Sequence, residues 1–354
     1  MDETRSVRRR DVLLVGSVPL PDADIVFRTV SKILGSCIRQ IPDGETGARS
    51  NWINWQLEVM RSAPFLTQQS SNSGYGTLLV DVFVPRRPES DPAEWEFGPL
   101  GYARFAKQSY LVFSRLKREG VIPGHVKFQV SLPTPLAPVT SFIAPQYYSL
   151  VECVYERRMR QEIAEIVTAV PPGELALQWD TAVEFALLEN AFPGALANRP
   201  AEIIQRLAQL TSWVPPDVDL GFHLCYGDAG HKHFKEPPDS GLLVDIANAV
   251  VSSSNRPLQW LHLPVPRDRD DAAYFAPMRR LKLPTNVRLY LGLIHFSDGL
   301  DGARRRIHAA EAITHEFGVA TECGFGRRPV DQVAPLLQLH VDTIRSLTTP
   351  ASPH

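Results

Sequence analysis

The chain has 354 residues, of which 44% are hydrophobic and 21% charged, with a formal net charge of −2. This length and composition give a globular α/β chain able to bury a large core, and the near-neutral charge argues against a nucleic-acid surface. No run of 18 apolar residues is present, so nothing reads as a membrane span.

The N-terminus opens with Arg5, Arg8, Arg9 and Arg10, a charge run expected to be a flexible basic tail over residues 1–10. It has neither the apolar stretch nor the small-residue cleavage site of a secretory leader. Short β-rich runs then alternate with longer amphipathic stretches. Strands are expected at Val12–Ser17, Leu78–Val84, Val126–Ser131, Leu175–Asp180, Asp219–Cys225, Leu258–Leu263, Val287–Leu293 and Val319–Cys323. Cys37–Ile41 is an alternative second strand, with Leu78–Val84 then falling in an insertion. Helices are expected at Ile25–Leu34, Tyr102–Lys117, Tyr147–Val170, Ala201–Trp213, Leu242–Val251, Gly302–Glu316 and Val330–Leu347. Eight strands separated by helices are what a single (β/α)8 TIM barrel requires, at a usual scale of ~250 residues; the surplus goes to long loop insertions. The 30 prolines gather in loops such as Pro85–Pro92, as ordered connections would have them. Residues 1–354 therefore read as one barrel domain.

In such barrels the chemistry gathers at the C-terminal ends of the strands. The polar residues that fall there are Gly16-Ser17, Asp180, His223, Cys225, His262, His295 and Cys323. Residues i and i+2 of a strand point the same way, so His223 and Cys225 can converge on one ion. With Cys323 and His262 from other strand ends they would make a nitrogen/sulfur set suited to tetrahedral Zn²⁺. Zinc there would activate a thiol or a water. Cys37 and Cys153 lack such partners, and Cys153 sits in an apolar helical pattern expected to be core. The four cysteines are too irregularly spaced for a disulfide framework, which points to a reducing, cytoplasmic setting. His231 and His233 fall in the loop after the fifth strand, where an exposed position is the plain expectation.

Two carboxylates complete the candidates. Asp180 closes Leu-Ala-Leu-Gln-Trp-Asp and either binds a substrate amine, acts as a base, or caps a helix at Ala182–Leu188. Glu45, in the Asp43-Gly44-Glu45 turn before Trp52 and Trp55, either points into the barrel mouth or sits in the first turn of a helix.

At these residues the chain resembles the C-terminal catalytic barrel of cobalamin-independent methionine synthase. That barrel belongs to a superfamily that includes uroporphyrinogen decarboxylase-like proteins. Val-Gly16-Ser17-Val-Pro is similar to the family's opening signature, and Asp43-Gly44-Glu45 with Arg49 to the turn that receives the homocysteine amine. Leu-Gln-Trp-Asp180 is similar to the strand ending in the substrate-binding aspartate. His223-Leu-Cys225 and Glu322-Cys323-Gly are similar to its zinc-binding motifs. The resemblance implies substrate contacts at Ser17, Asp43, Glu45 and Asp180, and zinc as cofactor. It departs where His262 stands in place of a glutamate ligand, and where Thr181-Ala182 follows Asp180 instead of Glu-Pro. Two activities stay open: zinc-dependent methyl or alkyl transfer to a thiol, or a lyase, hydrolase or cyclase reaction on a small carbonyl or natural-product substrate, with Asp180 or His295 moving a proton. A third possibility is a pocket without metal that only binds. In each case the partner is a small molecule.

Overall fold

The computed structural model describes residues 11–69, 81–192, 199–228, 230 and 232–348. The basic run at 1–10, His231, and residues 78–80 of the Leu78–Val84 expectation lie outside them. Nine strands occur among the described residues: β1 (Gln40–Pro42), β2 (Leu66–Gln69), β3 (Val82–Pro85), β4 (Lys127–Pro133), β5 (Leu175–Thr181), β6 (Asp219–Leu224), β7 (Trp260–Pro264), β8 (Arg288–Ile294) and β9 (Gly318–Thr321). Seven of them form one parallel sheet in the order β1-β4-β5-β6-β7-β8-β9, while β2 and β3 form a separate antiparallel pair. The helix Ala23–Leu34 precedes the sheet strands, and further helices follow them, among them Tyr102–Arg118, Tyr148–Ala169, Pro200–Thr211, Gly241–Ser253, Gly299–Glu311 and Val333–Thr348. No helix among the described residues is long and apolar enough to cross a membrane.

Two expectations change. The second strand of the sheet is the Cys37–Ile41 alternative, realised as β1, and the described part of Leu78–Val84 falls in the side hairpin. Burial explains the choice: β1 is buried throughout, whereas β3 buries every second residue. A strand of a helix-covered parallel sheet must be apolar on both faces, and a hairpin strand need not be.

The expected strand Val12–Ser17 is a segment with isolated parallel bridges and no regular ladder. Val12 bridges both Ile38 and Val319, and Ser17 bridges Gly44. Its backbone is bonded at both sheet edges, from Val12 N–H to the Cys37 carbonyl (2.8 Å) and from Leu13 N–H to the Val319 carbonyl (3.0 Å). The carbonyls in between are taken by side chains. Gln129 donates to Leu14 (3.1 Å) and Val15 (3.0 Å), and Ser131 and Gln178 also donate to Val15. Buried backbone acceptors need partners, and here amide and hydroxyl side chains replace ladder bonds. The sheet therefore curls until residues 11–18 meet its last strand on one side and the residues flanking β1 on the other.

Alternation along each strand sorts the core. Phe128, Val130 and Leu132 of β4, Leu175, Leu177 and Trp179 of β5, Leu220, Phe222 and Leu224 of β6, and Leu261 and Leu263 of β7 join the main hydrophobic core. The opposite parity holds a small separate cluster of Leu13, Ala176, Trp260, Tyr290 and Ala320. Gly221 leaves the space that Trp260 fills, since a Cβ there would overlap the indole. Continuing along that parity toward the C-terminal strand ends, the residues become Gln129, Ser131, Gln178, Asp180, His223 and His262, every one of them buried or half-buried. An apolar floor with polar groups above it is how the sequence builds a site inside a parallel sheet.

Candidate metal centre and adjoining pocket

Parallel pairing sets the neighbours. β5 and β6 place Asp180 beside His223, and β6 and β7 place His223 beside His262. Cys225 follows β6 by one residue and Cys323 follows β9 by two, so both extend from the same rim. The ligand atoms of His223, Cys225 and Cys323 lie within 4.8 Å of one another, with His223 and Cys225 buried. The two sulfurs are 3.9 Å apart, and the Gly227 N–H donates to Cys225 Sγ (3.2 Å). His223 Nε2 is buried and makes no well-formed hydrogen bond; burial works against charge on the ring, but the neighbouring Cys225 and Asp180 raise its pKa overall. A buried imidazole nitrogen beside two sulfurs is the donor set that zinc takes, and three protein ligands leave one position open, as catalytic zinc sites do. The residues present thus fit the ion.

Without metal, the pair of thiols is asymmetric. Cys225 is pulled well below the usual thiol range, first by the Cys323 hydrogen bond and then, against burial, by His223. Cys323 is pushed well above it by the same hydrogen bond and by burial. The hydrogen bond thus favours the thiolate on Cys225 and the thiol on Cys323. Zinc would displace the remaining proton, so its affinity should rise with pH.

His262, expected as a fourth ligand, has both ring nitrogens engaged elsewhere. Its Nδ1 lies 2.7 Å from His223 Nδ1, and its Nε2 lies 3.0 Å from the Thr321 carbonyl. His295 donates from Nε2 to the Val265 carbonyl (2.9 Å) and presents Nδ1 to Glu322 (3.4 Å). His233 is buried against this cluster, contrary to the exposed position expected, and lies between Glu236 (3.1 Å) and Glu322 (3.7 Å). Burial opposes charge on Glu322, yet the two histidines hold its carboxyl below the ordinary range. Neither remaining cysteine joins the centre. Cys37 is buried, and Cys153, expected in the core, is exposed on the helix Tyr148–Ala169.

On the other side of Asp180 a pocket is lined by Glu45, Arg49, Trp52, Trp55, Tyr102, Ser131 and Pro133 together with Asp180. Glu45 (φ 50°) and Trp52 (φ 46°) both hold the left-handed backbone region that non-glycine residues avoid. Asp43 keeps the Glu45 turn in shape. It accepts from the Glu45 N–H (3.0 Å), from Arg49 (2.6 Å) and from Ser109 (2.7 Å). Asp43, an expected substrate contact, thus accepts three hydrogen bonds from its own chain. Ser17 accepts from the Gly326 N–H (3.1 Å), so its hydroxyl ties the first segment to the turn after β9. Gly16 underlies Glu45, because a Cβ there would lie 2.8 Å from Glu45 Oε1.

Glu45 is half-buried, and its pKa is raised to about 8 by desolvation first and then by Asp180. Burial lifts Asp180 to about 7 against the pull of His223 and the Gln178 hydrogen bond. Asp180 caps no helix: it accepts from Gln178 (2.9 Å), and Ala182–Leu188 has no side-chain cap. Two carboxylates thus share one pocket whose lining cation, Arg49, is paired with Asp43. Gln178 and Ser131 are the residues that sequence reasoning passed over. Their signal was same-face spacing, Gln178 two residues before Asp180 and Ser131 two after Gln129.

No protein-family model matches the chain, and no curated protein matches it in sequence. Solved structures do. A B12-independent methionine synthase from Shewanella sp. W3-18-1, determined in complex with selenomethionine, is 12% identical with a TM-score of 0.61, covering 96% of this chain and 97% of that one. A protein from Listeria monocytogenes described as a vitamin-B12-independent methionine synthase is 14% identical with a TM-score of 0.52, covering 90% of this chain and 86% of the other. A methyltransferase from Methanosarcina mazei is 11% identical with a TM-score of 0.53, covering 94% of each chain. Over nearly its whole length, the chain shares the fold of methionine-synthase-like and methyltransferase proteins.

Proposed function

We propose that this chain is a zinc-dependent transferase that activates a thiol for methyl or alkyl transfer, built as a single (β/α)8 barrel in which residues 11–18 serve as the first stave. The observation that carries the reading is the His223, Cys225 and Cys323 group, with the His223 Nε2 atom buried and free of any well-formed hydrogen bond, set beside a pocket that holds the Glu45 and Asp180 carboxylates. The fold likeness to methionine-synthase-like and methyltransferase proteins supports the same class. Zinc bound by these three residues would keep a substrate thiol as its thiolate at neutral pH.

The chain's own residues do the rest. Glu45 and Asp180 receive a substrate ammonium, a cation for two carboxylates whose neighbour Arg49 is already paired with Asp43. Trp52, Trp55 and Tyr102 wall that end of the pocket with aromatic surface that shields the ion pair from water. Arg49, fixed by Asp43, lies at the same end and suits the substrate's carboxylate. His295 holds a proton on Nε2 against the Val265 carbonyl, with Nδ1 beside Glu322. That leaves the His295–Glu322 pair to move a proton at the far side of the metal ligands.

That pair, with His233 behind it, also favours a second reading, a lyase, hydrolase or cyclase acting on a small carbonyl substrate. A calorimetric titration separates the two. An α-amino thiol should bind zinc-loaded protein and lose at least about tenfold in affinity when zinc is stripped, while its S-methyl ether binds weakly to both forms. Equal binding of thiol and thioether, with or without zinc, contradicts the transferase reading.

A further inference from the structure

His262 is more informative as a partner of the metal ligand than as a ligand. It is 0% exposed, and its two ring nitrogens face only the Thr321 carbonyl (3.0 Å) and His223 Nδ1 (2.7 Å). A carbonyl only accepts, so His262 Nε2 must carry hydrogen. Two Nδ1 atoms at hydrogen-bond distance share one proton, because two would repel and none would leave two lone pairs facing. If that proton sat on His262, His223 would be bare at Nδ1 and protonated at Nε2, unable to bind metal through Nε2. With its hydrogen on Nε2, the His262 ring presents its lone pair at Nδ1, so the shared proton belongs to His223 Nδ1. Nε2 of a neutral His223 is then a bare lone pair, and it is the atom the structure leaves buried and free of any well-formed hydrogen bond near the two cysteines.

We infer that His262 is a positioning residue: through the relay Thr321 carbonyl–His262–His223 it fixes the tautomer in which His223 Nε2 can bind metal, and it is not itself a ligand. This inference rests on the metal reading above. The relay starts on the strand that delivers Cys323, and Thr321 also donates its hydroxyl to the Cys323 carbonyl (2.6 Å). One strand end thus sets both the second cysteine and, three strands away through His262, the tautomer of His223. A hydrogen-bonded imidazole behind a metal-binding imidazole is a recognised way of orienting the ligand, and its loss lowers metal affinity about 10- to 100-fold.

The test compares wild type, His262→Gln and His262→Leu in the full chain, by competition for zinc against a fluorescent chelator. X-ray absorption of the zinc-loaded proteins then counts imidazoles. Glutamine offers an amide N–H to Thr321 and a carbonyl oxygen to His223 Nδ1, so it should retain zinc affinity within about threefold. Leucine offers neither and should lose about 10- to 100-fold. One imidazole and two sulfurs are expected in both wild type and His262→Gln. Two imidazoles in wild type falling to one in the variant would make His262 a ligand and overturn the inference. Undiminished zinc affinity in His262→Leu would overturn it too. If His262→Leu fails to fold, the imidazole count in wild type and His262→Gln still decides. Wild type that binds no zinc would instead remove the metal reading, and this inference with it.

Discussion

The two halves of the candidate site are built on different physical terms. Around β6, β7 and β9, the proposed ligands sit on or just beyond regular parallel strands, whose register brings His223, Cys225 and Cys323 together. On the far side of Asp180, Glu45 and Trp52 stand on irregular backbone in the left-handed region, held by Asp43, Arg49 and Ser109. The metal half is a property of the scaffold. The carboxylate half is a strained turn that side-chain hydrogen bonds keep in place, and turns of that kind are where substrate preference changes without loss of fold.

This contrast breaks if the halves cannot be removed separately. Cys225→Ser and Cys323→Ser should each abolish stoichiometric zinc, read by plasma emission after dialysis, because each removes one of only three ligands. Glu45→Gln and Asp180→Asn should keep about one zinc per chain, yet weaken an ammonium-bearing substrate by about 1.5–3 kcal/mol. Loss of zinc in Glu45→Gln would merge the two halves into one.

Acidity sharpens the contrast. The Glu45 pKa is raised to about 8, so the folded chain holds a proton there that the unfolded chain releases near 4.5. Folded stability owed to this group is therefore present below about 4.5 and lost as pH rises toward 8. Chemical denaturation of the ligand-free protein should show that fall between pH 5 and 8, reduced in Glu45→Gln. Substrate ammonium binding should move oppositely, strengthening as Glu45 ionises.

A smaller effect is expected at Gly16→Ala. Its Cβ, 2.8 Å from Glu45 Oε1 and 3.2 Å from Ser131 Oγ, should displace the carboxylate and raise KM while zinc content holds. Cys153→Ser, at an exposed helix position, should change stability by no more than about 0.5 kcal/mol and leave zinc in place.

How much of this was legible in the sequence follows the same division. The i, i+2 spacing of His223 and Cys225 on a β-run, and the strand-end position of Cys323, were readable because strand geometry is regular. Helix spans were readable to within a few residues from periodicity. The first strand was mistaken for a regular one, since nothing local announces that Gln129, Ser131 and Gln178 will occupy its carbonyls. Leu78–Val84 outranked Cys37–Ile41 on β-propensity, although the described part of it lies in a side hairpin. Cys153 looked like core because its neighbours are apolar, but the buried face of its helix is carried by Val151, Val154, Tyr155 and Met159. His262 could be placed beside His223 from sequence, yet the partner of each ring nitrogen depends on the Thr321 carbonyl, which only the folded sheet supplies.

The most direct test is the metal content of protein purified without chelator, measured together with amino-thiol binding in wild type and Cys225→Ser. About one zinc per chain in wild type, with zinc and thiol binding lost together in the variant, is the expected result. Metal-free wild type that turns over its substrate at full rate would contradict the zinc mechanism, even with every strand where the structure places it.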